Sequence, residues 1–496
     1  MSRSLPGNPA RRDWGMIIDG RRAEAADGAR LDVINPATGA AVTTIPAGAA
    51  ADVDAAVAAA TRAFPGWRRV PCGERGRLLG VLADAVEGHA EELAWLDAVD
   101  NGSPIRMLRQ DVVIAAAQLR YFAGLALQLR GDSIPAPDAG SLDFTAHEPF
   151  GVVGRVIPFN HPLMFAATKI AAPLIAGNTV ILKPSEHTSL SALRIGELCA
   201  DFLPPGVVNV VTGTGAAAGA RLTGHPGVPR IAFTGSEETG LRIQRDAARH
   251  TVKVVTLELG GKNPLLVFPD ADVDAAVAGA VNGMNFTWQG QSCGSTSRVF
   301  VHRSVYADFV SSVVSALEKL HVGDPLGDET DVGAIVSRPQ FDRVSAYIRA
   351  GLADPRARLV TGGEPPGADG GLFIRPTVFA FDGGDCGSEI LEREIFGPVM
   401  CVLPYDGYDE VIGSANRLNL GLTASVWTSS LRTALSAARD LAAGYVWVNA
   451  SSAHIPGAPF GGTKNSGLGR EEGLEELYSY TQQKNVFVRF DTEVGQ

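Results

Sequence analysis

The chain has 496 residues, 45% hydrophobic and 20% charged, with a formal net charge of -11; that is a globular composition with length for two or three domains. The acidic balance, with no long Lys or Arg run, argues against a nucleic-acid or anionic-membrane partner. Cys72, Cys199, Cys293, Cys386 and Cys401 are scattered without CxxC or CxxH spacing, so the expectation is a reducing cytoplasm, no disulfide framework and no metal site.

In chain order, the first residues carry arginines but no apolar run, so no export signal is expected. "GMIIDGRRAEA" reads as a hairpin, and 51–64, 73–99 and 103–127 read as helices. The most apolar stretch, "DVVIAAAQLRYFAGLALQLRGD", is interrupted by Gln118 and Arg120 and reads as an amphipathic helix, not a membrane span. From about residue 150, short β-branched runs alternate with helical segments: strands at 151–159, 179–184, 206–213, 230–235 and 253–260, and helices at 162–177, about 188–202 and through about 250. Strands apolar nearly throughout, each followed by a helix, imply a parallel sheet covered on both faces. Such doubly wound sheets bind ligands at the carboxyl ends of their strands. After Gly261 a second α/β unit begins, with "NPLLVF", "SRVFVH", "LTASVWTSS" and "GYVWVN" as strands and helices at 271–284, 304–319 and 431–442. The segments 130–149 and 480–490 read as strands detached from both units. Free strand edges usually pair with something, often another subunit.

The stretch "TWQGQSCGSTSR" sets Cys293 among Gly290, Gln291, Ser292, Gly294 and Ser295. A structural cysteine prefers aliphatic company, whereas this one has small polar neighbours. A nucleophilic thiol needs a base, oxyanion donors and a place for a second reactant. Glu258 in "TLELGGKNP" ends an apolar strand, where desolvation would raise its pKa toward the range useful for activating water; the alternative is a cap or a pairing with Lys262. Asn160 in "VIPFNHPL" also ends a strand; it can cap the helix begun by Pro162 or donate to a developing oxyanion. "ILKPSE" places Lys183 and Glu186 past a strand, suited to ribose hydroxyls. "FTGSEETG" places Gly235 and Ser236 at a helix N-terminus, suited to a pyrophosphate. "GTGAAAG" has the wrong glycine spacing for the dinucleotide fingerprint.

Taken together and in order, "PFN-HP", "ILKPSE", "IAFTGS", "LELGGKNP", "GQSCGSTSR", "EREIFGPV", "GYVWVN" and "PFGGTKNSGLGREEG" resemble the NAD(P)-dependent aldehyde dehydrogenase superfamily, from about residue 15 to the C-terminus. The resemblance implies an α/β fold: a doubly wound cofactor domain (13–128 and 150–261), an α/β catalytic domain (262–462) and a small β oligomerisation arm (129–149 and 477–496) in a homodimer or homotetramer. It implies Cys293 as the nucleophile forming a thiohemiacetal, Asn160 as oxyanion donor, and Glu258 as the base that hydrolyses the ensuing thioester. It further implies Phe159, Lys183, Glu186, Gly235, Ser236, Glu394 and Phe396 as cofactor contacts. His161, Met164, Thr168, Thr287, Trp288, Ser292 and Phe460 would line the substrate pocket.

His161 departs from the aromatic or aliphatic residue often found after the Asn, and the small residues at several pocket positions suggest a roomy, mostly apolar pocket for a neutral, medium-sized aldehyde, aromatic ones included. His454 is a second candidate polar contact. Glu186 favours NAD, with NADP still possible, because a carboxylate accepts from a ribose hydroxyl and repels a 2′-phosphate. A CoA-acylating semialdehyde dehydrogenase would lack the glutamate base, a non-catalytic scaffold would have lost Cys, Asn or Glu, and an esterase would leave the cofactor loops without a purpose. Hydrolytic aldehyde oxidation is therefore the expectation.

Overall fold

A computed structural model of the chain describes residues 8–363, 370–384 and 387–490; Cys386 and the end of the expected arm beyond 490 lie outside the described residues. Two large sheets organise it. The first has eight strands in the order Arg21–Ala23, Met16–Ile18, Val208–Val210, Thr179–Lys183, Val152–Val156, Arg230–Thr234, Val254–Glu258 and Gly467–Leu468. Its inner strands run parallel, and the hairpin strand at one edge and Gly467–Leu468 at the other run antiparallel. Thr179–Lys183 and Arg230–Thr234 are buried throughout, as the apolar runs at their centres require of strands covered on both faces.

The chain winds outward from Val152–Val156 through Thr179–Lys183 to Val208–Val210, then returns to lay Arg230–Thr234 against the other side of Val152–Val156. That reversal is the switch point at which an open α/β sheet leaves a crevice beyond its carboxyl ends. The residues just past the strands there, Pro158 to Asn160, Gly235 and Ser236, and Gly260, all reach one cleft.

The second sheet has seven strands in the order Ala357–Thr361, Thr377–Phe381, Val399–Tyr405, Arg298–His302, Pro264–Val267, Thr423–Trp427 and Tyr445–Val448. All its pairings are parallel except that of Ala357–Thr361 with Thr377–Phe381. The detached strands find each other: Ser141–Pro149 pairs antiparallel along its whole length with Thr481–Arg489, and Ser133–Ile134 adds a short third strand.

Three local readings change. The helix expected over 73–99 is two helices, Cys72–Gly88 and Ala90–Asp100, broken at His89, whose Nδ1 lies 2.8 Å from the Ala85 carbonyl. The helix expected over 162–177 divides into Pro162–Thr168 and Ala171–Ala176, because Pro173 has no N–H for the residue 169 carbonyl and its ring crowds that carbonyl. Gly177, at φ 94°, then ends the second piece in the left-handed conformation that glycine adopts without strain. Strands Thr377–Phe381 and Val399–Tyr405, and helices Arg338–Ala353 and Tyr408–Asn416, complete the second unit where no element was expected.

Candidate active site

One cleft, of about 630 Å³ including its open mouth, is lined by Phe159, Asn160, Phe165, Gly235, Ser236, Glu258, Cys293, Glu394 and Phe396, with Gln340 and Arg343 at its side. Its walls come from both sheets. Phe159, Asn160 and Glu258 sit at the carboxyl ends of first-sheet strands, whereas Cys293 and Glu394 lie on segments leading into Arg298–His302 and Val399–Tyr405 of the second.

Cys293 is half-buried. Burial first, then the Glu394 and Glu258 carboxyls, push its thiol up to about 12. Its loop is fastened by Asn263: the side-chain amide donates to the carbonyls of Cys293 at 2.7 Å and Ser295 at 3.0 Å, while its oxygen accepts from the Thr423 N–H at 3.0 Å. Gly290 carries φ 64°, and a Cβ there would lie 2.2 Å from the Gly397 carbonyl oxygen. Only glycine satisfies both conditions.

Glu258 is buried, and neither carboxylate oxygen has a hydrogen-bond partner among the described residues. An unpartnered buried carboxylate is costly when charged. Its pKa is accordingly raised well above the usual range, by desolvation first and then by Glu471. Beneath it, Glu471 accepts from Arg155 and, at 2.6 Å, from Lys169, and these two cations hold Glu471 down to about 2. Two carboxyls in one buried cluster are thus driven apart, one toward the neutral form and the other firmly charged.

Glu394 accepts from the Gly261 N–H at 3.1 Å. Burial is the largest influence on its carboxyl, which sits at about 7. Gly260 has no room for a side chain, since a Cβ would lie 1.9 Å from Glu394 Oε2. Phe396 adopts φ 56°, a left-handed conformation that is strained for an aromatic residue. Gln340 clamps it, donating to its carbonyl at 2.7 Å and to that of Ile395 at 3.3 Å. The ring meets Phe159 edge-on at 5.5 Å.

Lys183 and Glu186 lie outside that lining, at the end of the neighbouring strand. Lys183 Nζ is 3.3 Å from Glu186 Oε2, and Glu186 Oε1 accepts from the Gly215 N–H at 3.4 Å. Ser236 caps the helix Glu237–Ala247. Among the expected pocket residues, His161 is partly exposed and meets the buried Trp288 at a tilt of 52°, with ring centroids 4.2 Å apart. Phe460 is buried against Tyr445 and His454. Thr168 is also buried and turns its hydroxyl back to the Met164 carbonyl at 2.8 Å. Met164, Thr287 and Ser292 are partly buried, and none of these seven lines the Cys293 cleft itself. The cleft does recruit Phe165, Gln340 and Arg343, which the sequence reading passed over. Phe165, on the helix that starts beside Asn160, was within reach of the periodicity, whereas the helix carrying Gln340 and Arg343 was not read at all.

Among the described residues no helix is long and apolar enough to cross a membrane, and no cluster of three or more His, Cys, Asp or Glu could hold a metal ion.

The model of the aldehyde dehydrogenase family matches residues 23–486. DhaS of Bacillus subtilis (strain 168) is 44% identical over 481 residues, covering 96% of this chain and 96% of that protein. The phenylacetaldehyde dehydrogenase of Pseudomonas fluorescens is 42% identical, covering 99% of each. An NAD+ complex of an aldehyde dehydrogenase from Bacillus cereus superimposes with a TM-score of 0.94 at 40% identity, over 97% of this chain and 98% of that one. The chain belongs to the aldehyde dehydrogenase family.

Proposed function

We propose that this protein oxidises an aldehyde to its carboxylic acid with NAD, through a covalent intermediate on Cys293 that is resolved by water. The observation that carries this reading is the convergence of Cys293, Asn160 and the unpartnered Glu258 on one cleft.

The residues present fit the cofactor. The crevice at the strand reversal opens onto Ser236 and the N-terminus of an eleven-residue helix, where backbone N–H groups favour phosphate oxygens. The paired Lys183 and Glu186 stand at the next strand end, suited to ribose hydroxyls. Glu394 and Phe396, held by Gly261 and Gln340, face the Cys293 end of the cleft. Glu186 disfavours a 2′-phosphate, which makes NAD the preferred form over NADP.

A thiol pushed to about 12 is protonated at neutral pH and needs a base when it adds to the aldehyde carbon. Glu258 is the cleft carboxyl with free oxygens to receive that proton. The sulfur–carbon bond forms as the carbonyl π pair moves to oxygen, and the Asn160 amide donates to that oxygen. NAD, when bound, supplies the acceptor for the hydride lost from that carbon, which leaves a thioester on Cys293. Once Glu258 has released that first proton to solvent, it takes a proton from the attacking water; the carbon–sulfur bond breaks, the departing thiolate recovers a proton, and the acid leaves.

Residues 13–128 and 150–261 then form the cofactor domain and 262–462 the catalytic domain. The paired strands within 129–149 and from 477 onward form an arm for a homo-oligomer, an assignment supported by the outer position of Thr481–Arg489 in its small sheet. Assaying the purified protein for NADH formation against aliphatic and aromatic aldehydes, with NAD or NADP and with or without CoA, tests the reading. Turnover that needs NAD and an aldehyde but no CoA supports it; silence across the panel despite NAD binding refutes it.

A further inference from the structure

The turn Asn101–Gly102–Ser103 links the helices Ala90–Asp100 and Ile105–Gly124, and its side chains have partners on both walls of the cleft. Toward the first sheet, the Asn101 amide donates to the Phe159 carbonyl at 2.6 Å; that carbonyl belongs to the peptide unit entering Asn160. Toward the second, the Ser103 hydroxyl donates to Gln289 Oε1 at 3.0 Å. The same oxygen accepts from Gln291 Nε2 at 3.2 Å, and Gln291 Oε1 accepts from the Val336 N–H at 3.2 Å. This chain of bonds ends two residues before Cys293. Its two halves are joined within the turn, where Asn101 Oδ1 accepts from the Ser103 N–H at 3.0 Å. Asn101, Ser103, Gln289 and Gln291 are each at most 1% exposed, and buried amides that satisfy one another in this way specify one arrangement. The turn has no room to shift: Gly102 holds φ 87°, and a Cβ there would lie 2.7 Å from the Ala334 carbonyl oxygen. Gln289 holds φ 55°, a conformation that a residue with a side chain keeps only when its surroundings enforce it.

We infer that Asn101 and Ser103 are positioning residues that hold the oxyanion donor Asn160 in register with the nucleophile Cys293 across the junction of the two sheets. Neither touches the aldehyde. Asn101 fixes the peptide plane from which Asn160 projects, and Ser103 fixes the loop that carries the thiol. Together they set the separation at which the Asn160 amide meets the oxygen of a carbonyl under attack by Cys293. Oxyanion stabilisation depends steeply on that separation. This inference rests on the proposed aldehyde oxidation, but it fails separately from it.

The test measures single-turnover NADH formation, with enzyme in excess over an aldehyde the wild-type protein oxidises, beside the affinity for NAD. Ser103→Ala and Asn101→Ala are each made alone and in combination with Asn160→Ala. Alone, each should slow the single turnover by about 10-fold or more while NAD affinity is retained. In the Asn160→Ala background, where no donor is left to hold in register, the same substitutions should slow it much less. A merely structural role would not produce that dependence on Asn160. Ser103→Ala removes one hydroxyl and leaves Gln289 Oε1 its bond from Gln291, so it decides the matter if Asn101→Ala does not fold. A Ser103→Ala enzyme that keeps the wild-type rate overturns the inference, as does a loss of the same factor with and without Asn160. Wild-type protein that forms no NADH from any aldehyde would count against the aldehyde oxidation itself, and this inference would fall with it.

Discussion

Asn263 carries the loop of Cys293, its side-chain amide donating at 2.7 Å to the very carbonyl of the cysteine and at 3.0 Å to that of Ser295. The same side chain accepts from the Thr423 N–H of the second sheet. Hydrogen bonds from one side chain therefore help to set the position of the nucleophile. Asn263→Asp keeps the acceptor and loses both donors, taking the side-chain partner from the Cys293 carbonyl and leaving the Ser295 carbonyl with only the Ser297 N–H. We expect kcat to fall by about 10-fold or more and stability by roughly 2 kcal/mol. Steady-state kinetics beside a denaturant titration would separate the two effects, and an unchanged kcat would remove Asn263 from the account.

Glu186 governs the choice between NAD and NADP. Its carboxylate is held beside Lys183 and by the Gly215 N–H. Glu186→Ser removes the charge that would face a 2′-phosphate and leaves Lys183 to attract one. The ratio of kcat/KM for NADP to that for NAD should rise by about 10-fold or more. If the ratio does not move, selectivity resides elsewhere in the cleft.

Acid sensitivity follows from Glu471, held at about 2 by Arg155 and Lys169. An unfolded glutamate titrates near 4.3, so the folded value is depressed. The stabilisation is complete above the unfolded value and disappears as pH falls toward about 2. Glu471→Gln should cost on the order of 3 kcal/mol at neutral pH, because two buried cations lose their partner. The difference from wild type should narrow between pH 4 and pH 2, as followed by equilibrium unfolding.

Glu258 has the opposite sign. Its raised pKa means that the folded protein favours the protonated carboxyl, and ionisation, needed for the base role, comes only as pH rises well above the usual carboxylate range. The rate of thioester hydrolysis should climb with pH over that limb. The limb should be absent in Glu258→Gln, which a stopped-flow pH series would reveal.

Much of the site could be read from the sequence because its residues combine unusual chemistry with position. Asn160 and Glu258 each end an apolar strand, and Cys293 stands among small polar residues where packing offers it nothing. Residues that act through distant partners were not legible. Asp111 is ordinary in its helix until folding brings His161 to it across 50 positions. Gln340 matters only because Phe396 adopts a left-handed backbone beside it, and no local pattern announces that conformation. The strand Val399–Tyr405 escaped notice because a short apolar run reads equally as buried helix or strand. The helix over 162–177 broke because Pro173 acts on a carbonyl four residues earlier, which the apolar periodicity conceals.

The most direct test of the central claim is a single-turnover experiment on Glu258→Gln with NAD and an aldehyde that the wild-type enzyme oxidises. NADH release would be followed alongside mass spectrometry of the Cys293 peptide. The account predicts a burst of NADH near one per active site, then a stall, with the acyl mass retained on Cys293. Continued turnover at the wild-type rate, or a burst that leaves Cys293 unmodified, would contradict it.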